Sequence, residues 1–214
     1  MCDAVNLYYL KKHLTALKSV RRVLEVGSFN VNGNCKAAVL SRGLEYVGAD
    51  IRNGPDVDLV CDITGDPSDL RQTLSGTFDL VICMNVLEHL FEPVKALDNM
   101  VSLLTAGGYI MIVTPTVWDL HDWPHDFFRL NPDFFRRFAE LRSLLVVPGT
   151  FVFSTRDSGR FFDDLSVLPM VVPEMHPSLA ARGARRLISR FLPEMRECWT
   201  RIYLNLIYQK PIAG

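Results

Sequence analysis

The sequence predicts a doubly wound α/β domain, in which a parallel sheet is covered by helices on both faces. Three observations carry this reading. Short and almost wholly apolar strands recur between Val23 and Val113, helical segments separate them, and a glycine-bearing loop, Gly27–Gly33, follows the first strand. Strands buried on both faces read as continuous apolar runs, and consecutive parallel strands need right-handed crossover helices.

The elements follow in order. Asp3 can cap a helix running to about Ser19, because Leu7, Leu10, Leu14 and Leu17 recur at three- and four-residue steps. Strand Val23–Val26 comes next, then a helix from about Asn34 to Ser41, strand Tyr46–Ala49 and a short strand at Val57–Val60. A polar helix near Pro67–Leu74, strand Asp79–Cys83 and a helix over Pro93–Leu104 complete the alternation; Gly107 and Gly108 end that last helix before strand Tyr109–Val113. Beyond lie an aromatic, proline-punctuated loop, a helix at Pro132–Glu140 and two β-rich segments, Ser143–Phe153 and Trp199–Gln209. Between these two segments runs an Arg-, Pro- and Met-rich stretch with a basic helix near Pro177–Phe191. The chain carries no internal repeat and no low-complexity tract.

Composition bounds the function classes. With 214 residues, 49% hydrophobic and 22% charged, the chain suits one well-buried domain. A formal net charge of -1 provides no global field for nucleic acid or an anionic membrane, so no nucleic-acid partner is expected. The stretch MCDAVNLYYLKKHL has no basic leader with an apolar core, and no apolar run is long enough to cross a bilayer, so a cytoplasmic location is expected. Cys2, Cys35, Cys61, Cys83 and Cys198 are odd in number and form no CxxC pair, which reads as reduced, mostly apolar thiols.

In a doubly wound sheet, ligands bind at the carboxyl ends of the strands. The loop Gly27–Gly33 lies there, and its spacing, G-x-x-x-x-x-G, lacks the middle glycine of a dinucleotide loop. Glu25 beside it repels a phosphate and suits a cation or an amine. Asp50 closes "EYVGADI" about twenty residues on, where a carboxylate can hold ribose hydroxyls; Asp62 closes "VDLVCDI", where it can accept from an exocyclic amine while Ile63 packs on a purine. Taken singly, either aspartate also reads as a turn cap.

Together, "VLEVGSFNVNG", "YVGADI", "VDLVCDI", "FDLVICMNVLEHL" and "LLTAGGYIMIVTP" resemble, over about Arg21 to Phe138, the class I S-adenosylmethionine-dependent methyltransferases, in the broad group that includes small-molecule and sugar methyltransferases. The resemblance implies a Rossmann-like, seven-stranded, mostly parallel sheet with an antiparallel last strand. It also implies one domain: an N-terminal helix (1–20), a core (21–153 and 197–210) and a lid insertion (154–196). The implied cofactor is S-adenosyl-L-methionine, with Glu25 and the Gly27 backbone at its methionine end, Asp50 at the ribose, Asp62 and Ile63 at the adenine, and Met84 and Asn85 along the wall. Ser28, Gly33 and Ile51 complete the expected cofactor set. The family's middle loop glycine is replaced in the region of Phe29 and Asn30.

Methyl transfer is an in-line displacement, so positioning supplies much of the rate and a base serves only an acceptor that must lose a proton. The candidates are His89, His121 and His125. The latter two stand in "PTVWDLHDWPHDFFRLNP", whose aromatic residues suit an acceptor wall or the closing of a core. "LEH" with the later "PHDFFR" partly resembles the metal pattern of small-RNA 2′-O-methyltransferases and some quinone-pathway O-methyltransferases, which would assign Glu88, His89 and His125. Asn85 stands where that pattern has its first glutamate, and no metal is expected. Arg182, Arg185, Arg186 and Arg190 lie on the basic helix, which reads as a solvated lid face rather than a phosphate or membrane site. The expected function is methyl transfer to an oxygen or nitrogen of a small metabolite, such as a sugar or natural-product intermediate. The alternatives are a non-catalytic cofactor-binding partner protein and a metal-assisted RNA or quinone O-methyltransferase. Aromatic residues in Phe151–Phe162 suit a homodimer contact or a lid.

Overall fold

The computed structural model describes residues 3–31, 33, 35–156, 161–163 and 201–212. The expected basic helix and most of the insertion lie outside the described residues, as do Cys2 and Cys198. Cys35 and Cys83 are buried and Cys61 is half-buried, with no disulfide among the described residues.

The predicted alternation is present. Helix α1 (Ala4–Leu14) begins at Asp3, whose carboxylate accepts from the Val5 and Asn6 N–H groups. It ends earlier than expected, with Lys11, Lys12 and His13 in its last turn, where positive charge complements the helix dipole. Then come β1 (Arg22–Val26), α2 (Lys36–Leu40), β2 (Glu45–Asp50), β3 (Leu59–Val60), α3 (Pro67–Thr73), β4 (Phe78–Met84), α4 (Pro93–Ser102) and β5 (Leu104–Val117). Helix α5 (Pro132–Leu141) and strands β6 (Leu145–Val146), β7 (Val152–Thr155), β8 (Phe161–Phe162) and β9 (Ile202–Gln209) complete the described chain.

Two boundaries differ for identifiable reasons. Helix α4 stops at Ser102, with Leu103 as its cap, and Gly107 and Gly108 lie inside β5 instead of ending a helix. The register passes from Phe78↔Leu104 to Leu80↔Tyr109, so β5 bulges between these pairs. Gly107 takes φ 79° there, a left-handed conformation open to glycine, and donates to the Lys210 carbonyl. Strand β5 also runs on to Val117, because β9 pairs with it from Tyr109↔Gln209 to Val117↔Ile202.

The sheet order is β3-β2-β1-β4-β5-β9-β7-β8, with β6 also on β9. Strands β1 to β5 are parallel and β9 is antiparallel to its neighbours. The seventh position is an interrupted strand, β6 and β7 both flanking β9, and β8 adds an eighth position beyond the expected seven. Alternate residues face two apolar layers. Val81, Cys83, Ile110 and Ile112 meet Leu70, Leu97, Met100 and Phe135 from α3, α4 and α5; Leu80, Ile82 and Met111 meet Tyr9, Leu10 and Val39 from α1 and α2. Buried tyrosines tie the helices to the sheet: Tyr9 donates to the Thr150 carbonyl at 2.8 Å, and Tyr208 to the Phe135 carbonyl at 2.6 Å.

Candidate active site

Because β1 to β5 run parallel, their carboxyl ends share one edge of the sheet. The antiparallel β9 starts there, with Ile202 opposite Val117 and Thr155, so Trp118, Arg156 and Arg201 reach the same edge.

Glu25 is buried in β1 at 3% exposure. Its carboxylate accepts from the Cys35 N–H at 3.1 and 3.2 Å and from the Tyr46 hydroxyl at 2.6 Å. Burial pushes the carboxyl above its usual range, against the pull of those hydrogen bonds. Gly27 follows with φ 80°, and a Cβ there would lie 2.2 Å from Val86 Cγ2. Ser28 is fully buried and donates its N–H to the Ala49 carbonyl, while the Gly33 N–H donates to Asn30 Oδ1.

Asp50 accepts from the Phe29 N–H at 3.1 Å and the Arg52 N–H at 2.9 Å, so it ties the glycine loop to the end of β2. Phe29, in the region of the missing glycine, lies under the Arg52 guanidinium at 4.6 Å. Ile51 is exposed. Asp62 Oδ1 accepts from the Thr64 N–H and hydroxyl, a turn-capping arrangement, and Ile63 packs in the core. Asn99 of α4 holds this loop by donating to the Ile63 and Gly65 carbonyls. Met84 is buried at the end of β4, and Asn85 takes φ 55° with its N–H on the Val113 carbonyl.

A second group stands beyond β4. Leu87–His89 form a single 3₁₀ turn. Glu88 is 1% exposed, and neither carboxylate oxygen has a hydrogen-bond partner among the described residues. Burial raises its carboxyl to about 7. His89 Nε2 lies 3.8 Å from Glu88 Oε1, and its Nδ1 donates to the His125 carbonyl at 2.6 Å. The His89 and His121 rings meet edge-on at 4.9 Å. The ligating atoms of Glu88, His89 and His121 all lie within 4.8 Å of one another. Burial lowers the His89 imidazole below its usual value.

A family model described as a methyltransferase domain matches residues 2–147. The chain belongs to that methyltransferase family. The ubiquinone biosynthesis O-methyltransferase of Psychrobacter cryohalolentis is 28% identical over 111 residues, 44% of this chain and 40% of that protein, so the match spans less than half the relative's length. Among solved structures, a SAM-dependent methyltransferase from Archaeoglobus fulgidus superposes with a TM-score of 0.59 at 18% identity, over 95% of this chain and 92% of that one. The N-methyltransferase NodS from Bradyrhizobium japonicum, in complex with S-adenosyl-L-homocysteine, gives 0.51 at 16% identity over 98% and 89%. The fold is the class I S-adenosylmethionine-dependent one implied by the sequence motifs.

In this methyltransferase domain the expected cofactor residues line one edge, from Glu25 to Asn85. Of the three candidate histidines, His89 and His121 come together. The His125 side chain is exposed, and the residue supplies its carbonyl to His89 instead. The sequence reading missed Tyr46, Asn99 and Asp126. For Asp126, the Asp126–Arg129 spacing of three is the available signal, since it is the ion-pair distance of a turn or helix. No described helix is long and apolar enough to cross a membrane.

Proposed function

We propose that this chain transfers a methyl group from S-adenosyl-L-methionine to an oxygen or nitrogen of a small-molecule acceptor, with His121 as the base. The observation that carries this reading is the convergence at the sheet edge of Glu88 and His89, which follow β4, with His121, which follows β5. The family match and the NodS complex support the choice of cofactor.

Bound at that edge, the cofactor supplies an electrophilic methyl on a sulfonium. Glu25, held by Tyr46 and Cys35, places negative charge at the end of β1, where an ammonium group gains from it. Asp50 keeps the loop closed and offers acceptor capacity to a diol. Trp118, Phe127 and Phe128 flank the acceptor side, and Phe127 and Phe128 are fixed through N–H contacts to the Glu88 carbonyl. His121 takes the hydroxyl proton as the acceptor's lone pair attacks; an amine acceptor loses its proton after transfer.

One observation favours a metal-assisted second reading: Glu88 is a buried carboxylate lacking any hydrogen-bond donor among the described residues, beside two imidazoles. Such a donor set fits a divalent ion held by Glu88, His89 and His121, with Nδ1 of His89 on a carbonyl as metal-bound imidazoles prefer. The ion would acidify an acceptor hydroxyl, and the O-methyltransferase relative supports an oxygen acceptor.

Calorimetry with S-adenosylmethionine, S-adenosylhomocysteine and NAD tests the cofactor. Micromolar binding of both adenosyl ligands, weakened at least tenfold in Asp50→Ala and absent for NAD, is expected. Failure of both to bind the folded protein would sink the proposal. Labelled-methyl transfer to phenol, carboxylate and amine acceptors, with and without EDTA, then sorts the two readings, and activity indifferent to chelation removes the metal.

A further inference from the structure

We propose that Asp126, clamped by Arg129, is a positioning residue that holds His121 in the tautomer protonated at Nδ1, leaving Nε2 as the proton acceptor. The catalytic consequence rests on the reading of His121 as base; the tautomer assignment stands on geometry alone.

The Asp126 side chain has no exposed area. Its Oδ2 accepts the His121 backbone N–H at 2.8 Å and lies 3.2 Å from His121 Nδ1. Arg129 donates from both terminal nitrogens, Nη1 to Oδ1 and Nη2 to Oδ2, the bidentate geometry that fixes a carboxylate plane. The same guanidinium donates to the Trp118, Asp119 and Phe128 carbonyls, so it also fixes the loop that carries His121. A neutral imidazole is a donor at one nitrogen and an acceptor at the other. Nδ1 is hydrogen-bonded to the Asp119 carbonyl at 3.2 Å and has the Asp126 Oδ2 charge at the same distance, while the donor at 3.5 Å, Arg129 Nη2, is already engaged by those same two oxygens. The proton therefore belongs on Nδ1, and the free lone pair is on Nε2, in a ring 4.9 Å from His89.

This arrangement separates the roles of two buried acids. Glu88 has no hydrogen-bond donor among the described residues and awaits one, whereas Asp126 is saturated and serves only to orient. Removing the Asp126 carboxylate takes away the charge beside Nδ1 and the acceptor that occupies Arg129 Nη2, which frees that donor to turn to Nδ1, drive the proton to Nε2 and remove the acceptor.

The test is nitrogen NMR of the protein labelled at histidine, at a pH where the imidazoles are neutral, with His121→Gln assigning the resonance. The wild type is expected to show Nδ1–H with an acceptor Nε2. Asp126→Ala is expected to shift the population toward Nε2–H, lower kcat about 100-fold, and leave cofactor affinity within twofold; Asp126→Glu is expected to keep the tautomer and most of kcat. A wild-type His121 protonated at Nε2, or a tautomer unchanged in a folded Asp126→Ala, overturns the inference. A tautomer that inverts while kcat holds supports the positioning geometry and instead overturns His121 as base.

Discussion

At the scale of single residues, Gly27 is fixed by two independent constraints. Its φ of 80° is strained for any residue with a Cβ, and a methyl there would meet Val86 Cγ2 at 2.2 Å. Valine is stiff about χ1 and cannot swing aside cheaply. Gly27→Ala is therefore expected to lose about 1–3 kcal/mol of stability, read as a lower thermal midpoint, together with most cofactor affinity. Adding Val86→Ala should relieve the clash but not the backbone strain, so it should recover only part of the loss; full recovery would show that sterics alone decide the site. The need for glycine at this position is legible in the sequence as a strand-end turn. The partner that enforces it, Val86, lies far along the chain in a different loop and is not.

Among elements, the loop between β3 and α3 shows how local signals and distant support combine. Apolar "VDLVCDI" announces a strand and its closing turn, and the polar stretch from Pro67 announces the helix that Asp66 caps in the structure. What holds the turn in place is Asn99 from α4, 3% exposed, whose amide spans the Ile63 and Gly65 carbonyls. Asn99→Ala leaves both carbonyls without that donor at about 1–3 kcal/mol. The expected result is a fall in denaturant midpoint and weaker S-adenosylmethionine binding in calorimetry, with the slope of the unfolding curve unchanged. Unaltered cofactor affinity would mean that the loop does not touch the ligand. Boundaries follow the same logic: α4 and the Gly107 bulge are set by pairing of β5 with β4 and β9, which helical periodicity does not encode.

For the molecule as a whole, the buried Glu88 makes stability depend on pH. Its carboxyl is raised from 4.5 to about 7 by burial, so the folded state holds the proton more tightly than the unfolded state. Between these values the native protein binds more protons, and unfolding free energy falls as pH rises. The favourable contribution is fully present below about pH 4.5 and is lost as pH rises through about 7. Urea unfolding in the presence of EDTA should show the wild type losing about 3 kcal/mol relative to Glu88→Gln across that window, because each tenfold difference in proton affinity is worth about 1.4 kcal/mol. Parallel curves for the two proteins would mean that Glu88 is solvated or paired in solution.

The amino-acid sequence alone determines the parallel sheet and the edge on which Glu25, Asp50, Asp62 and Asn85 fall, because strand period, turn residues and crossover handedness are local or chiral rules. It also carries the family to which the chain belongs. Tertiary structure alone decides that His121, not His125, joins Glu88 and His89. The course of residues 118–129 is set by Arg129 on their carbonyls and by the Glu88 carbonyl holding the Phe127 and Phe128 N–H groups. The Glu88 contacts link segments distant along the chain, and no spacing of residues within the loop specifies them.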